Sequence, residues 1–205
     1  MLSRQHVMTF AAVLLSAAVS PASLRAQDDV GQGPAVVLYG MGGGFNTLAH
    51  LDDAKTTNFK TGFNVGGGVG YQFDKHVALR GNFTFARAEA QSDLGFQNSI
   101  TGTKFNRFLY DADLQFRYPL EGGAAPYVFV GGGVVTVDQD IAAKPPKFTK
   151  GAGKFGAGLS YQIPRSNVGV YVEGTTWVYK WDRFGFNKTQ FDTTWGGGLS
   201  YRFGL

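Results

Sequence analysis

The sequence predicts an all-β chain whose mature part closes into an eight-stranded antiparallel up-and-down transmembrane β-barrel. Three observations carry that expectation. Glycine (30 residues) and aromatic residues (15%) are both abundant, the first opposing helix and the second favouring sheet. Eight stretches have strand character, and most alternate apolar with polar side chains at period two. Their connections alternate between short turns and longer polar segments, a rhythm that membrane barrels keep and a soluble sandwich has no reason to keep.

The chain opens on an address. Arg4 and His6 precede an apolar run from Val7 to Val19, and Pro21, Ser23 and Leu24-Arg25-Ala26 follow. This reads as a signal peptide over residues 1–26, cleaved after Ala26. The run is shorter than the roughly 20 residues a membrane-spanning helix needs. No cysteine lies near the cleavage point, so a lipoprotein signal is not expected. Residues 27–205 are then one domain. Without Arg4 and Arg25, the 19 basic residues become 17 against 15 acids, and the net charge falls from +4 to +2. The basic balance therefore gives no argument for nucleic acid. With no cysteine anywhere, disulfides and thiolate sites are excluded.

The eight strands are expected near residues 35–46, 61–73, 77–88, 105–118, 126–137, 151–163, 168–181 and 191–203. Each is long enough to cross a bilayer tilted, which takes about 9–11 residues. The first carries Gly42–Gly44. The second sets Phe63, Val65, Val69, Tyr71 and Phe73 on one face against Asn64, Gly66, Gly68, Gly70 and Gln72. The third sets Val77, Leu79, Phe83 and Phe85 against Ala78, Arg80, Asn82 and Thr84. In the fourth, Phe108, Tyr110, Leu114, Phe116 and Tyr118 oppose Arg107, Asp111, Asp113, Gln115 and Arg117. The fifth carries Gly131–Gly133, and the sixth ends in GAGLSYQI. The seventh alternates Val168, Val170 and Val172 with Tyr171 and Glu173. Beyond Gly174 its aromatics Trp177, Tyr179 and Trp181 fall on the polar parity, and a bulge near Gly174-Thr175 would return them to the apolar face. The eighth sets Trp195, Leu199, Tyr201 and Phe203 against Asp192, Thr194, Gly198, Ser200 and Arg202. No helix is available to cover so many apolar faces. Closing the sheet with those faces toward lipid satisfies every backbone group and removes the edges. Phe73–Val77, Pro119–Ala125 and Pro164–Asn167 are the short turns. Residues 47–60, 89–104, 138–150 and 182–190 are the four long loops.

Four strands end alike: GGGVGYQF (Gly66–Phe73), DLQFRY (Asp113–Tyr118), GAGLSYQI (Gly156–Ile163) and GGGLSYRF (Gly196–Phe203). Tyr71, Phe73, Phe116, Tyr118, Tyr161, Tyr201 and Phe203 would form an aromatic girdle at one water–lipid boundary, where an apolar ring with a polar tip is at home. On these residues the chain resembles the small outer-membrane β-barrel family, the relatives of the OmpA transmembrane domain and of OmpX. The resemblance implies a Gram-negative outer membrane and a porin-like scaffold. It also implies that the barrel-assembly machinery reads Trp195–Phe203, although Gly204 and Leu205 follow. Some family members carry a peptidoglycan-binding domain after the barrel, and this chain is not expected to tether the wall that way.

The sharpest candidate site is a network of interior charges: Arg80, Arg107, Arg117 and Arg202 against Asp111, Asp113 and Glu173. Eight strands leave an interior just filled by side chains, and buried charges must pair. The network is either a static core or, as the resemblance implies for the class, a gate whose arginines exchange partners. Lys144, Lys147, Lys150 and Lys154 cluster at the long-loop end with Lys55, Lys60, Lys104, Arg183 and Lys188, where they would meet lipopolysaccharide phosphates or simply be solvated. Gly151-Ala152-Gly153-Lys154-Phe155-Gly156 matches GxGxxG, but no helix follows, so the glycines read as tight curvature. His50 and His76 lack a serine partner and a metal-ligand spacing, so neither catalysis nor a cofactor is expected. The expected function is therefore non-enzymatic: a structural and surface-interaction barrel presenting four extracellular loops to an unidentified partner. A narrow gated channel is the alternative. A lipid A-modifying enzyme and a soluble ligand-binding barrel are weaker readings, the last opposed by the outward aromatics.

Overall fold

The computed structural model describes residues 33–48, 57–92, 102–140, 147–182 and 187–205. The expected signal peptide lies outside them. The strands are β1 (Ala35–Thr47), β2 (Thr57–Phe59), β3 (Gly62–Gln72), β4 (Val77–Ser92), β5 (Lys104–Arg117), β6 (Ala124–Gln139), β7 (Lys147–Gln162), β8 (Val168–Trp181) and β9 (Lys188–Gly204). Eight of them close an antiparallel barrel. Each pairs with its chain neighbours, and β1 joins β9 from Ala35↔Gly204 to Thr47↔Asp192. No helix occurs among the described residues.

The strands run further toward the long connections than the sequence suggests. β4 reaches Ser92, and β6 and β7 continue to the pair Asp138↔Lys147. The pattern inverts there: the outward side chains meet polar surroundings, while Ala88, Ala90 and Phe148 turn inward and are buried. The backbone ladder is indifferent to that and continues, helped by cross-strand charges such as Glu89↔Lys104.

Two local registers decide what fills the lumen. On the β2–β3 side Phe59 opposes Ala90 while Phe63 opposes Arg87, so four steps on one strand meet three on the other. That extra residue is a bulge, and it turns Phe59 from the lipid parity to the inside. On β8 the expected bulge at Gly174-Thr175 does not exist. The ladder runs unbroken through Gly174↔Trp195 and Thr175↔Thr194. Trp177, Tyr179 and Trp181 therefore stay inward and are buried. The reason is volume: the inward positions of β4 at this level are Ala86, Ala88 and Ala90, and only large side chains from other strands can fill the space they leave.

The outward face is apolar from the turn end to the ring contacts Phe63–Phe85, Phe85–Phe108 and Phe83–Tyr110. From Tyr118 to Phe108 the strand climbs ten residues, about 25 Å at ~3.3 Å per residue and ~40° tilt, the height of a membrane band. At the turn end Tyr71 packs on Phe73 and Tyr201 on Phe203, with ring centroids 5.0 and 4.7 Å apart. The turn 118–123 closes through Gly122 and Gly123, both at positive φ (89° and 88°), where a side chain would be strained.

Candidate functional site

The lumen is organised in three layers. Every inward position comes from one parity of each strand, so the layers follow from the register. At the long-connection end lies an apolar plug. Phe45, Phe59, Phe105, Leu109, Val135, Val137, Phe148, Trp177, Tyr179 and Trp181 are all buried there. Inside it Arg107 is completely buried, with Nε 2.9 Å from Asp192 Oδ2. Its guanidinium carbon lies 4.3 Å from the centroid of Phe59 and 4.7 Å from that of Phe45. Asp192 accepts from Thr47 Oγ1 at 2.7 Å and from Tyr179 Oη at 2.6 Å. One cation and one anion are thus locked in a cage of rings.

The middle layer is ionic. Arg80 grips Asp113 with Nε at 2.7 Å and Nη2 at 3.2 Å, and donates from Nη1 to Glu173 Oε2 at 2.7 Å. Lys154 Nζ reaches Asp111 at 2.6 Å and Asp113 at 2.7 Å. Asn82 Nδ2 donates to both aspartates, and its side-chain oxygen accepts from the Tyr39 hydroxyl. Tyr127 and Thr175 hydroxyls each donate to Glu173 at 3.0 Å. Phe129 lies under the Arg80 guanidinium at 4.5 Å. Room for these rings comes from β7: a Cβ at Gly158 would sit 2.4 Å from Tyr127, and one at Gly156 2.3 Å from Phe129. The GxGxxG stretch is therefore strand whose inward glycine accommodates a neighbour's ring.

The third layer, at the turn end, holds Arg117 and Arg202. Both donate to the Gln72 side-chain oxygen at 3.0 Å. A cavity of about 80 Å³ lies beside them, lined also by Gln115, Ser160, Tyr171 and Ser200.

All seven predicted network residues thus face the lumen, but they do not form one network. Arg80, Asp111, Asp113 and Glu173 meet in the middle layer, Arg107 stands alone in the plug, and Arg117 with Arg202 sits below. Two partners were missing. Asp192 was legible on the polar face of its strand but not as the mate of Arg107. Lys154 was read as a lipopolysaccharide contact, whereas the structure buries it in the middle layer. Because β7 begins at Lys147 and not at 151, the strand parity already governs these lysines. It turns Lys150 inward to Asp182 (2.7 Å) and leaves Lys147 exposed on the outer face beside Asp138 (3.2 Å). Lys144, like Lys55, Arg183 and His50, lies outside the described residues. The turn-end aromatics Tyr71, Phe73, Phe116, Tyr118, Tyr161, Tyr201 and Phe203 are all exposed on the outer wall. His76 sits in the β3–β4 turn, its Nδ1 3.2 Å from the Arg117 carbonyl oxygen. In the same turn the Asp74 carboxylate accepts from the backbone N–H of His76 (2.6 Å) and Val77 (2.8 Å), and these bonds hold its pKa below the usual carboxylate value.

A family model described as the outer membrane protein beta-barrel domain matches residues 9–203. No curated protein matches the chain by sequence. Among solved structures, Neisserial surface protein A superposes with a TM-score of 0.57 at 13% identity, over 84% of this chain and 100% of that one. The N-terminal β-barrel domain of Pseudomonas aeruginosa OprF superposes with a TM-score of 0.52 at 17% identity, over 84% and 100%. At these identities the likeness is one of fold.

Proposed function

Because the chain belongs to the outer membrane protein beta-barrel domain family, whose members are integral to the outer membrane, we propose that it is a non-conducting structural barrel that anchors the outer leaflet and presents its four long connections outside the cell. The observation that carries this reading is the filled lumen. Any path through the barrel would have to cross the cage of Phe45, Phe59, Phe105 and Trp181 around a fully buried ion pair, not merely rearrange the arginines below it. Exchange of partners in the middle layer alone opens nothing, so the gated-channel reading loses its simplest mechanism. The reading gives His76 no catalytic role; its Nδ1 faces a backbone carbonyl oxygen.

On this reading export uses residues 1–26, and the assembly machinery reads Trp195–Phe203. The lipopolysaccharide contacts move from the inward lysines to the outward rim above the apolar band. Lys60 pairs with Glu89, Arg87 with Asp140 and Lys147 with Asp138, while Lys104 stands opposite Glu89. These cations lie just above the phenylalanine girdle, at the level where lipid phosphates would sit. Cells lacking the protein should admit a hydrophobic dye faster than cells carrying it. The wild-type chain should restore the barrier, and a chain with Lys60, Arg87, Lys104 and Lys147 replaced by glutamine should not. Equal dye uptake in all three strains would overturn the reading.

A further inference from the structure

The turn-end layer holds two arginines that no carboxylate answers among the described residues. Their shared acceptor, Gln72 Oε1, is neutral, as are their other partners: Ser160 Oγ, 3.3 Å from Arg117 Nη2, and the Gly33 carbonyl, 2.6 Å from Arg202 Nη2. The other cations of the lumen do not behave this way. Arg80, Arg107 and Lys154 reach carboxylate oxygens at 2.7, 2.9 and 2.6 Å. Two like charges drawn to one amide oxygen repel each other, and a shared anion would relieve that.

A second observation concerns the lining of the same cavity. Tyr171 lines it, is only 8% exposed, and its buried hydroxyl has no hydrogen-bond partner among the described residues. Buried hydroxyls are ordinarily satisfied. The cavity's 80 Å³ exceeds the roughly 10–15 Å³ needed to seat one water, leaving room for several waters or one compact ion. Immediately above, the middle layer carries three carboxylates against two cations, which would stop an anion from moving deeper. Two forked donors, one orphaned hydroxyl and an acidic ceiling describe a receptor for a small multivalent oxyanion.

We infer that the turn-end cavity is a binding site for a phosphate-class oxyanion, held between Arg117 and Arg202 with the Tyr171 hydroxyl as a further donor. In the orientation proposed above this end faces the periplasm, but the site itself does not depend on the orientation. The phosphate is either free or part of a phospholipid headgroup. The test is calorimetric titration of inorganic phosphate into the whole protein, purified from membranes in a phosphate-free non-ionic detergent. Saturation at one equivalent is expected. Replacing Arg117 and Arg202 together by glutamine should weaken binding at least about 10-fold. Tyr171→Phe removes one oxygen and keeps the packing, so it tests the site even if the double variant does not fold. It should weaken binding about threefold or more. Repeating the titration in phosphatidylglycerol nanodiscs separates the sources: unchanged affinity assigns free phosphate, and competitive loss assigns the headgroup. No saturable binding in detergent, or binding that both variants leave unchanged, would overturn the inference.

Discussion

The ion pair in the plug gives the sharpest prediction about stability. Arg107 and Asp192 are both fully buried and 2.9 Å apart. Removing one member of such a pair strands the other charge, at about 3–5 kcal/mol. Arg107→Met leaves Asp192 with the Thr47 and Tyr179 hydroxyls still donating to it, so a cost of about 3 kcal/mol is expected. Asp192→Leu leaves a guanidinium among aromatic rings with no anion and orphans two hydroxyls, for about 4 kcal/mol. If the two acted independently, the double variant would lose about 7 kcal/mol; removing both charges at once should instead cost about 4, a coupling of about 3 kcal/mol. The assay is reversible urea unfolding in lipid vesicles followed by tryptophan fluorescence, since Trp177 and Trp181 lie in or beside this cage. Single-variant losses under about 1 kcal/mol, or additive losses in the double variant, would refute the claim that this layer is dry and closed.

Gly158→Ala should destabilise the barrel by about 1–3 kcal/mol in the same assay, because its Cβ would lie 2.4 Å from the Tyr127 ring and 2.6 Å from the Val172 carbonyl oxygen. Asp74→Asn should lower the melting temperature near neutral pH but not in acid. The native carboxylate is held below its ordinary value of 3.8, so its contribution is present above that pH and fades as pH falls through the native pKa; melting both proteins between pH 2 and 7 checks that the gap closes on the acid side. Tyr201→Asp and Phe203→Asp place a charge on the exposed outer wall at the last strand, so less folded protein should reach the outer membrane by fractionation; wild-type levels would undo the proposed assembly signal.

Much of the barrel was legible because period two is a strong signal wherever one face meets lipid. Phe63, Val65, Val69 and Tyr71 on β3, or Leu114 and Phe116 on β5, could face nowhere else once their neighbours were Asn64, Gln72, Asp113 and Arg117. The errors arose where polarity stopped distinguishing inside from outside. Trp177, Tyr179 and Trp181 were assigned to lipid because aromatics usually are, yet this lumen is itself apolar in its upper half. The clue was the facing run Ala86, Ala88 and Ala90, whose small volumes demand large partners; only the register puts those strands at the same height. Phe59 was missed for a related reason, since a single inserted residue reverses parity and leaves no mark in composition. Lys154 was misread because it followed three other lysines, and proximity in sequence outweighed a parity that was already visible. The division of the seven charges into three layers depends on cross-strand register, which alternation along single strands does not reveal.

The central claim is that the lumen is closed, and conductance tests it most directly. The purified, folded protein should be inserted into a planar lipid bilayer in 1 M salt, with folding verified by the mobility difference between unboiled and boiled samples. A silent bilayer is predicted, both for the wild-type protein and for a variant whose middle layer is disturbed by Arg80→Gln, because the Phe45–Phe59–Phe105–Trp181 plug lies above that layer and is untouched. Discrete openings in the wild-type protein that Arg80→Gln alters would contradict the account and restore the gated channel.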